Sequence, residues 1–286
     1  MFSEFLSDQK KEFFNKTNIV YHYCSCESFE KIISNKKIWL SHYASMNDFK
    51  EIKLFDYLVQ SCIKNKRKFS LLIKEYLQKI EQKEPEYYFF CLSYAGDLLS
   101  NWVKYANDGK GFAIGYDKSY FEKVCDDMSD PIKTRLLSLN PIKYISEHDV
   151  SFIQRIIDDF EKSIKAERDT FHKNYTIKPL LINELLEYRN FVKDVGFEEE
   201  QECRLALTVT NDLSMQKQMN DKLKLSFRAK SSALVPYYAL DVNAEDSIKE
   251  IVIGPKNSSR DKDIKEFVSQ FYSPNITIRR SAISYR

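Results

Sequence analysis

Glycine and proline are scarce in this chain of 286 residues, which contains 6 glycines and 7 prolines. Stretches rich in these residues mark flexible linkers and domain boundaries. The sequence contains no such stretch, no internal repeat and no low-complexity tract. The chain therefore offers no obvious point of division, and we expect one domain over residues 1–286, with helical insertions near residues 50–84 and 147–193.

Long apolar runs are also missing. A membrane-spanning helix needs about 18 or more consecutive apolar residues, and no stretch approaches that length. The first 16 residues alternate charged and aromatic side chains and lack the apolar segment of a signal peptide. The sequence thus predicts a cytoplasmic protein that makes no membrane contact.

Neither sign of charge dominates: Lys and Arg number 44, Asp and Glu number 42, and the formal net charge is +2. A protein that binds nucleic acid mainly through phosphates carries a basic excess. That class is disfavoured, although a nucleic-acid substrate held in one local groove stays open. The six cysteines form no C-x-x-C motif, and the four histidines show no ligand spacing with them. We therefore expect neither a disulfide framework nor a metal site.

Hydrophobic residues make up 43% of the chain and aromatic residues 14%, enough for a sizeable core. Apolar patterns predict strands and helices in an irregular order, without the strict alternation of a parallel α/β sheet. The predicted fold class is therefore α+β, with a largely antiparallel or split sheet. Strands are predicted at 19–24, 38–41, 87–93, 112–116, 200–209, 223–228, 234–240, 248–253 and 276–279. Helices are predicted at 1–15, 25–33, 51–83, 98–105, 147–192 and 263–272.

The strongest chemical signal is an acidic run, Glu198 to Arg204, that leads into an apolar strand. On a strand, Glu200, Glu202 and Arg204 share a face. Carboxylates this close repel each other, and desolvation raises a carboxyl pKa, so a fold tolerates them where something cationic is brought to them. Arg204 can hold one carboxylate and leave the other for a substrate. An exposed acidic strand edge with an ordinary surface ion pair is the alternative interpretation.

Two polar candidates lie on predicted strands. His22 sits between two tyrosines on the first strand, where it is either a group that hydrogen-bonds a ribose hydroxyl or an ordinary core or surface histidine. Ser93 ends a nearly continuous apolar strand, and strand ends are places where sites tend to form.

Trp102 and Tyr105 present large flat rings on which a nicotinamide or a base can stack. Two aromatic residues three apart are more commonly part of the core. The glycines at Gly109–Gly111 and Gly254 lack a phosphate-loop fingerprint, so we interpret both as turn glycines.

An ordered set of short stretches across nearly the whole chain resembles a bacterial family catalogued only as a domain of unknown function, which has been linked to the ADP-ribosyltransferase superfamily. The stretches are VYHYCS at 20–25, IWLS at 38–41, MND at 46–48, FCLS at 90–93, Trp102 with Tyr105, GKGFAIGY at 109–116, GFEEEQECRL at 196–205, LVPY at 234–237, EIVIGP at 250–255 and SAISYR at 281–286. The resemblance is weakest in the two helical insertions.

The resemblance implies a split sheet that grips NAD, the substrate, in its central cleft. In the His-Tyr-Glu branch of the superfamily, a first-strand histidine contacts the nicotinamide ribose, and His22 matches that histidine. Tyr105 or Trp102 would stack on nicotinamide, since no second-motif tyrosine on a strand can be assigned. A late-strand glutamate stabilises the oxocarbenium ion, with Glu202 the first choice and Glu200 the second.

The rest of the implied site binds the cofactor: Arg204 and Arg228 position an acid or a phosphate, and Tyr23 and Ser93 complete the set. The implied protein is an NAD-dependent ADP-ribosyltransferase, a toxin or phage-defence effector that modifies RNA, DNA or protein. An antitoxin or regulatory partner is expected with such an effector. Two alternatives are a non-catalytic module that binds a nucleotide or a partner in the same cleft, and a nuclease.

Overall fold

The structure of the protein is a computed structural model, which describes residues 16–46, 51–63, 85–128, 136–146, 185–209, 223–230, 232–243 and 247–285, together with positions 12, 78, 150, 151, 153–155 and 158. The described strands are β1 (Ile19–Cys24), β2 (Lys37–His42), β3 (Glu86–Ser93), β4 (Phe112–Asp117), β5 (Leu137–Pro141), β6 (Lys143–Ile145), β7 (Val192–Asp194), β8 (Glu202–Val209), β9 (Leu225–Lys230), β10 (Ala233–Asp241), β11 (Ile248–Ile253) and β12 (Thr277–Arg280). The described helices with complete bounds are α1 (Cys26–Asn35), α2 (Glu51–Ile63), α3 (Leu99–Tyr105), α4 (Lys118–Asp127) and α5 (Asp261–Ser269).

Ten of these strands form one sheet in the order β12-β11-β4-β1-β3-β2-β10-β9, with β8 added beside β3 and β5 beside β8. Every pairing in this sheet is antiparallel except that of β11 with β12. Strands β6 and β7 form a separate parallel pair. The predicted α+β class with a mostly antiparallel sheet is confirmed.

The sheet is split along one edge of β3. On its other edge, β3 pairs with β8 over its full length. On the split edge it pairs at one end with β1 and at the other end with β2. These pairings are Tyr21 with Ser93, Ser41 with Phe89, and His42 with Tyr88. The backbone of Phe90, Cys91 and Leu92 lies between the two contacts, where β1 and β2 diverge, so the sheet has a cleft at its centre.

Helices cover the sheet on both faces. The main core joins one face to α1, α4 and α5, through residues such as Phe29, Phe121 and Ile264. On the opposite face, Ile52 of α2 packs over β3 and β8, and Trp102 of α3 packs over β1, β4 and β11. The cleft lies between these two smaller clusters.

The alternation predicted for the late strand holds along β8. Cys203, Leu205 and Leu207 belong to the main core, whereas Ala206 belongs to the cluster on the opposite face. Successive side chains of a strand point to opposite faces, so Glu202 and Arg204 are directed away from the main core. This direction puts their charges on the face of the sheet that α2 and α3 cover.

The two predicted insertions are only partly described. Within residues 50–84, α2 is helical as predicted, and the remainder lies outside the described residues except position 78. Within residues 147–193, residues 185–188 are helical, but residues 192 and 193 belong to β7. The predicted helix at 1–15 lies outside the described residues apart from position 12. Within the described ranges, every helix is too short or too polar to cross a bilayer.

The turn before β4 is built as the glycine pattern predicts. Asn107, Asp108 and Gly109 adopt left-handed backbone angles with φ of 49°, 58° and 78°. Glycine and asparagine tolerate this region better than other residues. A side chain at Gly254 would approach the Gly109 carbonyl oxygen to 2.3 Å, so this glycine permits the close contact of two loops. Both glycine sites are therefore structural turns.

Candidate active site

A cavity of about 260 Å³ lies at the split of the sheet. It collects residues that are distant in the sequence, because β1, β3, α3 and β8 all contribute to its wall. Every predicted site residue lines it except Trp102. Those that do are His22, Tyr23, Ser93, Tyr105, Glu200, Glu202, Arg204 and Arg228.

His22 sits in the gap between β1 and β3. Its ring stacks on Phe90 with the centroids 4.2 Å apart, and its Nδ1 lies 2.9 Å from the carbonyl oxygen of Cys91. A carbonyl oxygen can only accept, so Nδ1 carries the proton and Nε2 is left as an acceptor. Burial lowers the pKa of His22 to about 4. The imidazole is therefore neutral at pH 7, with one nitrogen able to accept a hydrogen bond.

Glu202 begins β8 and is held by two cations. Its Oε1 accepts hydrogen bonds from Nε and Nη2 of Arg204 at 2.9 and 2.8 Å, and its Oε2 accepts one from Nζ of Lys193 at 2.9 Å. Burial alone would raise the pKa of the Glu202 carboxyl, but the Arg204 guanidinium and the Lys193 ammonium outweigh it and hold this pKa at about 2. The carboxylate is ionised throughout the physiological pH range.

Arg204 is fixed from three directions. Besides Glu202, it donates from Nη1 to the carbonyl oxygen of Asn190 at 3.0 Å, and its guanidinium lies 4.4 Å from the centroid of the Phe89 ring. Only 1% of the residue is exposed. The rigid planar guanidinium orients the Glu202 carboxylate, as the sequence pattern predicts for one carboxylate of the pair.

Glu200 is not on the late strand, which corrects the prediction that a strand runs from residue 200. It ends a short 3-10 segment, Val195–Glu200, and Gln201 then reverses the chain in a left-handed conformation with φ of 46°. The carboxylate nevertheless reaches the same cavity. The Glu200 Oε2 accepts from Lys193 Nζ at 2.9 Å, and its Oε1 accepts from the Tyr105 hydroxyl at 2.8 Å.

Lys193 is a charged cavity residue that sequence reasoning missed. It lies on β7, is 4% exposed, and bridges the two glutamates. A lysine in a short segment next to charged residues looks like a surface residue, and only the tertiary structure brings two carboxylates to it. The usable signal was the acidic run itself, because two buried carboxylates require more than one cation.

Ser93 and Tyr23 serve as parts of the cavity wall. The Ser93 hydroxyl donates to the carbonyl oxygen of Glu200 at 2.9 Å and accepts from the Ala95 amide at 3.2 Å. The Tyr23 hydroxyl donates to the Ala95 carbonyl oxygen and accepts from the Leu98 amide, both at 2.9 Å. These hydroxyls are committed to the protein, so Ser93 positions Glu200 and Tyr23 positions the loop before α3.

Trp102 is a core residue, which corrects its assignment to the cofactor-binding set. Its ring is fully buried, packs edge-on against Tyr23 at 4.9 Å, and donates from Nε1 to Asp97 at 2.6 Å. One turn later on α3, Tyr105 is 37% exposed and lines the cavity. Of the two predicted stacking residues, Tyr105 alone can meet a ligand.

Arg228 lies on β9, across the cleft from Glu200 and Glu202, which we call the acidic group. Its Nη2 donates to the Ser41 hydroxyl at 3.0 Å, and its guanidinium lies 5.3 Å from the centroid of the Trp39 ring. Partial burial lowers the pKa of Arg228. Within the part of the chain that the structure describes, this arginine has no carboxylate partner.

A family described as "Protein of unknown function (DUF2971)" matches residues 101–205. The matched segment contains Tyr105, Lys193, Glu200, Glu202 and Arg204, but neither His22 nor Arg228. Comparison with curated proteins and with solved structures finds no match. The match therefore covers the acidic side of the cavity and attaches no activity to it.

Proposed function

We propose that the protein is an NAD-dependent ADP-ribosyltransferase whose reaction takes place in the cavity at the split of the sheet. One observation carries the proposal. His22 on β1 and Glu202 on β8 are 180 positions apart in the sequence, on strands that flank opposite edges of β3, and both line this cavity. An ionised carboxylate can stabilise the positive charge that forms on the ribose as nicotinamide leaves, and a neutral imidazole can accept a hydrogen bond from a ribose hydroxyl.

In this reaction the bond between C1′ of the ribose and the nicotinamide nitrogen breaks, and its electron pair leaves with nicotinamide. The ribose becomes an oxocarbenium ion, an acceptor nucleophile bonds to C1′, and the acceptor loses a proton. A fixed carboxylate stabilises the positive charge of the transition state. The low pKa of Glu202 makes it a poor proton acceptor, so its proposed role is electrostatic.

His22 is proposed to orient the ribose. Its Nδ1 is occupied by the Cys91 carbonyl oxygen, so Nε2 is the nitrogen able to accept a hydrogen bond from a ribose hydroxyl. The hydroxyl of Tyr105 is held by Glu200, which fixes the ring as a wall against which nicotinamide can stack. Glu200 is the second candidate for the electrostatic role, because its carboxylate lines the same cavity.

A second candidate function is a module that binds a nucleotide without cleaving it. The observation that favours it is that the acidic group is internally neutralised, since Lys193 and Arg204 balance Glu200 and Glu202. A balanced group stabilises a new positive charge less than an unpaired carboxylate does. The transferase must bind NAD and release nicotinamide, whereas the module need not bind NAD and releases no nicotinamide.

The test measures nicotinamide release and NAD affinity for the full chain, with a cell extract as the source of acceptor. We expect the unmodified protein to release nicotinamide and to transfer label from ADP-ribose-labelled NAD. Glu202→Gln should lower kcat by about 100-fold or more and change the NAD Kd little. Glu12→Gln is the matched control, because the Glu12 side chain is 73% exposed and pairs with Lys16 away from this cavity.

The outcomes separate the candidates. Equal turnover by Glu202→Gln and the unmodified protein would remove Glu202 as the stabilising group, and the same measurement on Glu200→Gln then decides between the two glutamates. NAD binding without nicotinamide release would establish the binding module. Degradation of nucleic acid that stops in chelator would establish a nuclease instead.

A further inference from the structure

A second cavity of about 890 Å³ continues from the first. The two share a short boundary formed by His22, Trp39, Ser41, Phe90 and Arg228. The first cavity has the acidic group on its far wall, whereas the second lies between α1 and the strands β2, β9 and β10. A ligand that fills both would therefore meet two different chemical surfaces.

The second cavity is basic. Four cationic side chains line it (Lys31, Lys37, Lys224 and Arg228) against two acidic ones (Glu27 and Asp241). Lys37 pairs with Asp241 at 2.6 Å, and both side chains are largely exposed. The overall charge of the chain is nearly balanced, so this excess is a local property of the cleft. Such an excess raises the local concentration of anions.

Arg228 lies at the boundary and has no carboxylate partner among the described residues. Other arginines that are buried or half-buried pair with acids: Arg189 with Asp56, Arg204 with Glu202, and Arg279 with Glu250. Arg228 instead contacts the Ser41 hydroxyl, and its Nε is buried without an acceptor among the described residues. A partly desolvated guanidinium with its charge uncompensated is a good binding group for a phosphate.

Two aromatic rings lie next to Arg228. The Trp39 and Tyr237 rings have centroids 4.6 Å apart, and both line the second cavity. Both residues are half-buried, so part of each ring is accessible. An aromatic surface beside a cationic group is the arrangement with which proteins hold a nucleotide, since the base stacks on the ring and the phosphate meets the cation.

We propose that the second cavity binds a nucleoside phosphate, with the phosphate at Arg228 and Ser41 and the base on the Trp39–Tyr237 pair. This chemistry has two sources: the ADP half of NAD, or one nucleotide of a nucleic-acid acceptor. The site does not depend on cleavage of NAD. The two proposals can therefore fail independently. Glu202→Gln should slow nicotinamide release and leave nucleotide binding at Arg228 unchanged.

The first arm of the test is calorimetric titration of the full chain with ADP and with adenosine. We expect ADP to bind at least tenfold more tightly than adenosine. Arg228→Gln should weaken ADP binding about tenfold or more and leave adenosine binding unchanged, since an ionic hydrogen bond to phosphate contributes roughly a tenfold factor or more. Trp39→Leu should weaken both ligands, whereas Trp39→Phe should retain them.

Arg260→Gln is the matched control, because this arginine is 81% exposed and lies on the surface beside Asp263. Its ADP affinity should equal that of the unmodified protein. Equal affinities for ADP and adenosine, or an Arg228→Gln variant that binds ADP normally, would overturn the proposal. An unchanged thermal midpoint for Arg228→Gln shows that any loss reflects binding and not unfolding.

The second arm identifies the source with a fluorescent ADP derivative bound to the protein. Displacement by NAD assigns the site to the ADP half of that substrate. Displacement by a short single-stranded oligonucleotide, with NAD not competing, assigns it to the acceptor. Either result supports a nucleoside-phosphate site, and the oligonucleotide result would also identify nucleic acid as the acceptor class.

Discussion

Removing the ammonium of Lys193 tests whether its ion pairs with Glu200 and Glu202 stabilise the folded protein. The Lys193 side chain is 6% exposed, and its Nζ lies 2.9 Å from Glu200 and from Glu202, whose side chains are 4% and 6% exposed. Lys193→Met nearly keeps the length of the side chain and removes its charge. Glu202 then retains Arg204, and the one cation that Glu200 retains among the described residues is Lys104, whose Nζ lies 3.4 Å away and whose side chain is 38% exposed. The remaining like charges then repel each other at short range.

The loss of stability expected for Lys193→Met follows from the pKa of Glu202. It lies at about 2, against 4.5 for an ordinary glutamate, and this difference corresponds to about 3 kcal/mol in favour of the ionised form in the folded state. Arg204 supplies part of that energy, but Glu200 also loses a partner. We therefore expect Lys193→Met to lower the free energy of unfolding by about 3 kcal/mol at pH 7, within the range for breaking a buried ion pair.

The sign of the pH dependence is fixed by the same pKa. A carboxyl with a lowered pKa stabilises the folded state above its ordinary pKa of 4.5, and this contribution is lost as the pH falls through 2. Once Lys193 is removed, Glu202 loses one of the two cations that lower its pKa and takes up its proton at higher pH. The difference in unfolding free energy between Lys193→Met and the unmodified protein should therefore be largest at pH 7 and smaller near pH 4.5.

Urea unfolding at both pH values measures this difference. Lys37→Met is the matched control, since Lys37 pairs with Asp241 at 2.6 Å but the side chains are 45% and 61% exposed. An exposed pair contributes about 1 kcal/mol or less. If Lys193→Met loses no more unfolding free energy than Lys37→Met, or loses the same amount at the two pH values, Lys193 does not stabilise the fold through the buried carboxylates.

The remaining predictions concern the cavity wall. Trp102→Ala should lower the free energy of unfolding by about 3–5 kcal/mol, because the ring is fully buried and donates a hydrogen bond to Asp97. Chemical denaturation measures this change. A loss below about 1 kcal/mol would contradict the assignment of Trp102 to the core. His22 has its pKa lowered to about 4 by burial, so its contribution to stability should be present above pH 6.5 and lost as the pH falls through 4. NMR titration of the ring should show it still neutral at pH 5.5, and a midpoint near 6.5 would place the ring in solvent.

The strands that the sequence predicts best are those that begin and end in apolar residues. β1 and β11 have the predicted bounds, because apolar and β-branched residues run to both ends of each. α1 begins where predicted, since the Ser25 side chain accepts from the Ser28 amide and caps it. Local signals are sufficient in such segments.

Other elements depend on contacts that a local pattern does not contain. α4 was not predicted, although Asp117 caps it and Phe121 and Cys125 are buried on one face. The third buried residue of α4 is Lys118, a residue type that a sequence pattern assigns to the surface. β6 and β7 are three residues each and exist as a pair of strands distant in sequence, so neither short run is recognisable alone.

The candidate site was predicted in part for the same reason. The E-x-R pattern of Glu202 and Arg204 reveals its geometry locally, because the strand alternation puts both on one face. Glu200 follows a different path, since the left-handed Gln201 breaks the alternation without a glycine to announce it. The role of Lys193 arises only when β7 is brought beside β8, which no short-range pattern indicates.

A crystal structure of the Glu202→Gln protein with NAD bound would locate the substrate relative to both proposed groups. We expect a ribose hydroxyl hydrogen-bonded to Nε2 of His22, with C1′ of the nicotinamide ribose about 3–4 Å from the side chain of residue 202. Nicotinamide should lie against Tyr105. NAD bound outside this cavity, or with its nicotinamide ribose directed away from residues 200 and 202, would contradict the account.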